Sequence, residues 1–178
     1  MIKNIAVVSL SRGVLGEAFA QHEVEIGLQR LAGYGVNVRF MPNARRGIDY
    51  LTAHPEARAA DLLQAFRDPG IDMILCAIGG DDTYRLLPYL FDYDELRKAV
   101  TDKIFLGFSD TTVNHMMLHK VGLSTFKKPT PGRLYRESAF LFSYGVSSPS
   151  SRQGPAMRPA RQRPGLLPGR YPPSGGWF

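Results

Sequence analysis

From the N-terminus to about residue 126, short apolar runs alternate with stretches in which apolar residues return at helical spacing. The runs at 2–9, 35–41, 72–78 and 103–108 predict four central strands, each apolar enough to be covered on both faces of a parallel sheet. Between them, Val24, Leu28 and Leu31 fall at i, i+4 and i+7, and Ala59, Leu62, Leu63 and Phe66 at i, i+3, i+4 and i+7. Each set forms one apolar helix face. Pro55 suits the first turn of the second helix, where its missing N–H costs nothing, and Asp68-Pro69-Gly70 is a stop. Shorter helical patterns occupy 82–90, 93–100 and 111–121. This alternation predicts one α/β domain over residues 1–126, a mostly parallel sheet flanked by helices.

The pattern ends at Lys127. Residues 127–178 hold nine of the thirteen prolines, seven glycines and seven serines, and neither period survives. Too few apolar groups remain to offset the entropy of ordering, so a largely disordered tail is expected, unrelated to the domain before it. The net charge of +6 belongs to this tail: it has nine Lys or Arg and one acid, against 13 basic and 15 acidic residues before it. The lysines and arginines are diluted by proline, so nucleic acid is not an expected partner. The abrupt change, without a recognisable linker, also fits out-of-frame translation. Cys76, the single cysteine, sits in an apolar run and reads as core. The first ten residues read as a strand and not as a signal peptide, and no run reaches the roughly 18 apolar residues of a membrane span. A cytoplasmic location follows as the expectation.

Two stretches carry chemistry. Gly107-Phe108-Ser109-Asp110 follows a predicted strand directly and opens a predicted helix. A serine on such a turn projects its hydroxyl above the sheet, beside the unpaired N–H groups and positive dipole of the helix N-terminus. The plainer alternative is that Ser109 or Asp110 caps the helix. Ile78-Gly79-Gly80-Asp81-Asp82-Thr83 also lies where a strand meets a helix. Its glycines would let the backbone approach a ligand, as in the GGD motif of phosphofructokinase-like kinases, or would make a tight turn capped by Asp81 or Asp82. Both stretches fall at strand C-terminal ends, where open α/β folds bind ligands.

The run from Ala77 to Leu90, Ala-Ile-Gly-Gly-Asp-Asp-Thr-Tyr-Arg-Leu-Leu-Pro-Tyr-Leu, and that from Lys103 to Thr112, Lys-Ile-Phe-Leu-Gly-Phe-Ser-Asp-Thr-Thr, together resemble the LD-carboxypeptidases and microcin-C-immunity peptidases. The stretch from Arg58 to Pro69 is similar to the helix before that family's glycine strand. The resemblance covers about residues 1–126, and both motifs in this order count against a kinase. It implies that Ser109 is the nucleophile of a Ser-Glu-His triad. It also implies that the backbone N–H of Asp110, with that of Gly80 or Gly79, forms the oxyanion hole. In that family Glu and His come from a C-terminal domain, the proteins work as homodimers, and the substrates are amides of murein tetrapeptides or of peptidyl-nucleotide antibiotics. After Ser124-Thr125-Phe126 the chain departs from the pattern, with Lys127-Lys128-Pro129 in place of a Tyr-Gly-Pro-like turn. Beyond it there is no histidine, and Glu137 is the one acid. The family's C-terminal domain is thus expected to be absent and the triad incomplete.

The four histidines offer no local substitute. His115 lies six positions beyond Ser109, about 240° around a helix axis, and so faces elsewhere. His119 is a turn further on, and His22 and His54 have no motif around them. His115 and His119 at i, i+4 lack the glutamate and third ligand of a zinc site. No metal or cofactor is called for. The classes left are a truncated serine carboxypeptidase acting on a small peptide or peptidyl-nucleotide, a non-catalytic binding or dimerisation remnant, and a GGD-motif nucleotide kinase.

Overall fold

The computed structural model describes residues 2–125, all inside the first of two units into which the chain divides, Met1–Ser147. The expected tail at 127–178, with Glu137, lies outside the described residues. Four parallel strands, β1 (Asn4–Val8), β2 (Asn37–Phe40), β3 (Met73–Cys76) and β4 (Ile104–Leu106), form one sheet in the order β2-β1-β3-β4. Between them run α1 (Gln21–Ala32), α2 (Ile48–Ala53), α3 (Pro55–Arg67), α4 (Leu87–Phe91) and α5 (Glu95–Ala99), and α6 (Thr112–Lys120) follows β4. The fold is the α/β class that the alternating pattern predicts.

Each strand sends alternate side chains to opposite faces, and the two faces bury different partners. Ile5, Val7, Met73, Leu75 and Leu106 pack with Val24 and Leu31 of α1. Ala6, Val8, Ile74, Cys76 and Phe105 pack with Leu62, Ala65 and Phe66 of α3 and with residues of α4, α5 and α6. Pro55 stands at the start of α3 as expected, and Asp68 ends that helix by accepting a 2.8 Å hydrogen bond from the Gly70 N–H. Cys76 is a buried core thiol whose pKa desolvation pushes far up.

One expectation is corrected. The second strand is not covered on both faces: Asn37 and Arg39 are exposed while Val38 and Phe40 are half-buried. β2 pairs only with β1 and forms an edge of the described sheet. Its polar alternation suits an edge, and the Arg39 guanidinium pairs with Asp68 outside the core.

Chain order and strand order diverge at β1: the chain leaves it for β2 on one side and returns past it to β3 on the other. The loops after β1 and β3 therefore part company at the C-terminal edge, the position where open α/β sheets hold ligands. Register places Val8 opposite Cys76 and Leu75 opposite Leu106. Leu10 and Ser11, Gly79 and Gly80, and Ser109 and Asp110 consequently leave adjacent strands along this one edge.

Candidate active site

The chain leaves β4 extended at Phe108 (φ −140°, ψ 167°), passes through Ser109 with φ 56°, and at once begins a 3-10 turn that leads into α6. A left-handed serine costs about 1 kcal/mol or more, so the surroundings must hold it there. This is the backbone path of a nucleophile elbow: extended strand, one left-handed residue, helix.

The glycines of the β3 loop are explained by how near the elbow they lie. A β-carbon on Gly79 would stand 2.7 Å from the Ser109 Cβ, 3.0 Å from its Oγ and 3.1 Å from the Asp110 nitrogen. One on Gly80 would stand 2.2 Å from the Ser11 Oγ and 3.1 Å from the Arg12 nitrogen. Both glycines are thus packed against the elbow and the β1 loop, which argues against an open phosphate cradle. Among the described residues, the N–H groups of Gly79, Gly80 and Asp110 have no hydrogen-bond acceptor. Gly107 is equally constrained, because its β-carbon would lie 2.5 Å from the Thr111 Oγ1.

The plain capping alternatives do not occur. Neither the 3-10 turn at Ser109–Thr111 nor α6 has a side-chain cap, and neither does the 3-10 turn at Thr83–Leu86. The Asp110 carboxylate points instead across the sheet edge. Its Oδ2 accepts a 2.7 Å bond from the Ser11 hydroxyl, a 2.9 Å bond from the Thr83 N–H and a short one from the Thr83 hydroxyl. Burial by itself would raise this carboxyl, but the bonds from Thr83 and Ser11 outweigh it and hold it below the usual carboxylate range. Asp82 is committed to Arg58, whose side chain is fully buried on α3: Nη1 donates to Oδ1 at 2.8 Å and Nη2 to Oδ2 at 3.0 Å. Nη1 also lies 3.2 Å from the Leu10 carbonyl and 3.3 Å from that of Ser11. Arg58 and Asp110 between them tie the loops after β1, β3 and β4 into one frame.

Sequence reasoning missed Ser11, Arg58 and Thr83 as parts of this frame. Arg58 did leave a signal, an arginine one helical turn before Leu62 on the apolar side of α3. With Asp61 at i+3 it looks like a surface ion pair. In the fold the two go separate ways, since buried Asp61 accepts bonds from the Asn43 N–H at 3.0 Å and its side-chain amide at 2.8 Å. Desolvation pushes the Asp61 carboxyl up to about 6 despite these bonds.

The hydrogen bonds of His115 and His54 go to partners other than Ser109. Buried His115 has both ring nitrogens engaged, Nε2 with the Gly107 carbonyl at 3.1 Å and Nδ1 with the Thr125 hydroxyl at 2.7 Å. Desolvation lowers its pKa, which favours the neutral ring. His54 pairs with Glu56, and His22 and His119 are exposed on α1 and α6. Among the described residues no three His, Cys, Asp or Glu side chains gather as a metal site, and no helix is long and apolar enough to cross a membrane.

Fold and site together define a parallel α/β domain with a serine-bearing elbow at the sheet's C-terminal edge, facing a glycine turn. The family follows from comparison: the model of the LD-carboxypeptidase N-terminal domain matches residues 5–128, and the chain belongs to that family. The "Probable murein peptide carboxypeptidase" of Bacillus subtilis is 34% identical over 108 residues, 60% of this chain and 33% of that protein. The microcin C7 self-immunity protein MccF of Escherichia coli is 37% identical over 81 residues, 45% of this chain and 23% of that one. Among solved structures, an MccF-like protein from Streptococcus pneumoniae in complex with AMP superposes with a TM-score of 0.70 at 50% identity, covering 79% of this chain and 45% of that one. The chain thus spans about a third or less of the length of these curated relatives.

Proposed function

We propose that this chain is the nucleophile-bearing domain of a cytoplasmic serine carboxypeptidase. It would act on the amide beside a free carboxylate, in murein tetrapeptides ending in a D-residue or in peptidyl-nucleotide antibiotics. The observation that carries this reading is Ser109, held at φ 56° against a glycine whose β-carbon would collide with it. The Ser109 Oγ attacks the scissile carbonyl, forming the Cβ–O–C bond of a tetrahedral adduct, and the N–H groups of Asp110 and Gly80 take the oxyanion. Gly79 leaves the room for that approach. When the adduct collapses, the C–N bond breaks and the terminal residue departs as its amine with the proton released by Ser109; water then cleaves the Ser109 acyl ester, freeing the shortened peptide acid and the serine. The names of the relatives, murein peptide carboxypeptidase and microcin self-immunity protein, support both substrate classes. A homodimer is the assembly that the family resemblance implies.

The Ser109 proton needs a base. All four histidines lie among the described residues, and on this reading the base is the histidine that the family resemblance assigns, with its Glu, to the family's C-terminal domain. In other serine peptidases, loss of the base alone costs on the order of 10⁶ in turnover. Against a typical kcat of about 10 per second, this chain alone is expected to release D-alanine from a tetrapeptide at only about 10⁻⁵ per second. The test pairs that assay, with Ser109→Ala as blank, with mapping of a fluorophosphonate adduct. An adduct on Ser109 ahead of every other serine supports the assignment, and one on another serine overturns it. Turnover near one per second that disappears in Ser109→Ala would show that the chain holds a complete triad.

A further inference from the structure

An open groove of about 510 Å³ is lined in part by Arg12, Thr52, Asp81, Asp82, Tyr84 and Arg85, residues of the loops that follow β1 and β3 and of α2. Its charges are unequally matched. Asp82 is held by the buried Arg58 in the bidentate pair and also lies 3.7 Å from Arg85. Arg85 is steadied by a 2.7 Å bond to the Thr52 carbonyl. Among the described residues Arg12 has the exposed Asp81 as its one acidic partner, at 4.0 Å, with 57% of its own side chain exposed. Two guanidinium groups thus line the groove with two carboxylates, of which Asp82 is already matched from behind by the buried Arg58, and the longest and most exposed pair is Arg12–Asp81. Such an exposed, long ion pair contributes little and gives way readily to a better partner.

The groove is tied to the reaction centre through the chain itself. Gly79 touches Ser109, the β-carbon of a residue at Gly80 would touch the Arg12 nitrogen, and Asp81 and Asp82 follow directly. Two residues from Gly79 to Asp81 span at most about 7 Å, within reach of one substrate residue and an arginine side chain. We propose that the Arg12 end of this groove is an anion subsite that takes the free carboxylate of the substrate residue beside the scissile amide. The Arg12 guanidinium leaves Asp81 for it in a charge-assisted, bidentate pair, while Arg85, anchored on Thr52, holds the far wall positive. This rests on the carboxypeptidase reading and deepens it, because it names the group that would make the enzyme prefer a terminal residue over an internal one.

The test uses the full chain carrying Ser109→Ala, so that ligands stay intact. Ligand-observed NMR titration measures the Kd of a tetrapeptide ending in D-alanine, of its C-terminal amide, and of AMP. The free acid is expected to bind about tenfold more tightly than the amide. Adding Arg12→Gln should bring that ratio close to one, whereas the remote Lys98→Gln should leave it unchanged. Equal binding of acid and amide, or a tenfold preference that survives Arg12→Gln, overturns the subsite while leaving peptide binding intact. If AMP loses affinity in Arg12→Gln and the free acid does not, the subsite holds a phosphate and the carboxylate assignment falls. Failure of both peptides to bind overturns the carboxypeptidase reading and the subsite with it.

Discussion

Arg58→Met separates the frame from the elbow it supports. The methionine keeps the length and apolar character of the buried stem but removes the two bonds to Asp82 and those to the Leu10 and Ser11 carbonyls. Asp82 is left about one-fifth exposed with Arg85 at 3.7 Å as its remaining cation. Removing one partner of a buried pair costs about 3–5 kcal/mol, and the partial exposure of Asp82 places the effect near the lower end. Asp82→Asn keeps a hydrogen-bond acceptor but strands a fully buried guanidinium whose Nε already has no partner among the described residues, so it should cost about 2–4 kcal/mol. Because both substitutions break the same pair, the double variant should fall short of the sum by about 1.5–3 kcal/mol. Urea unfolding of the full chain reads this directly: with a slope of about 1–3 kcal/mol per molar, each single change moves the midpoint by roughly 1–2 M. If Arg58→Met fails to fold, Asp82→Asn alone still tests the magnitude. Additive effects, or single effects below about 1 kcal/mol, would refute the argument that this pair braces the loops.

Three further outcomes are expected. Gly79→Ala forces its new methyl group against the Ser109 Cβ and the Asp110 nitrogen; it should lower stability by about 1–3 kcal/mol, seen in thermal unfolding, and abolish fluorophosphonate labelling of Ser109. Ser109→Gly relieves the left-handed strain at φ 56°, so the variant should be about 1 kcal/mol more stable while losing the probe site, and a fall in Tm would show that the serine side chain contributes more than its conformation costs. Asp61 has its folded pKa raised from 3.8 to about 6 by burial, so the native state holds its proton more tightly than the unfolded chain. The resulting stability is present below about pH 4 and is lost as pH rises through 6, a change of about 3 kcal/mol that Asp61→Asn should flatten in unfolding curves taken from pH 4 to 7.

What could be read from the chain was local. Strand runs and helix faces depend on periods of two and 3.6 residues, so the four strands and the bounds of α3 at Pro55 and Asp68 were visible, whereas α2, only six residues long, was too short to show a period. The Gly-x-Ser-Asp turn was visible too, because its geometry is made by residues in direct succession after a strand. The frame around it was not, since it is built from residues far apart in sequence. Arg58 and Asp82 are 24 positions apart, and Ser11 and Asp110 are 99 apart. Whether such residues meet depends on strand order, which periodicity does not encode. The order β2-β1-β3-β4 places the loops of β1, β3 and β4 side by side and leaves β2 at an edge. It also decides that Asp110, a helix cap by its local sequence, serves the neighbouring loops instead. A carboxylate at the head of α6 satisfies its hydrogen bonds with whatever donors stand nearest, and only the packed sheet edge puts Ser11 and Thr83 within 3 Å of it.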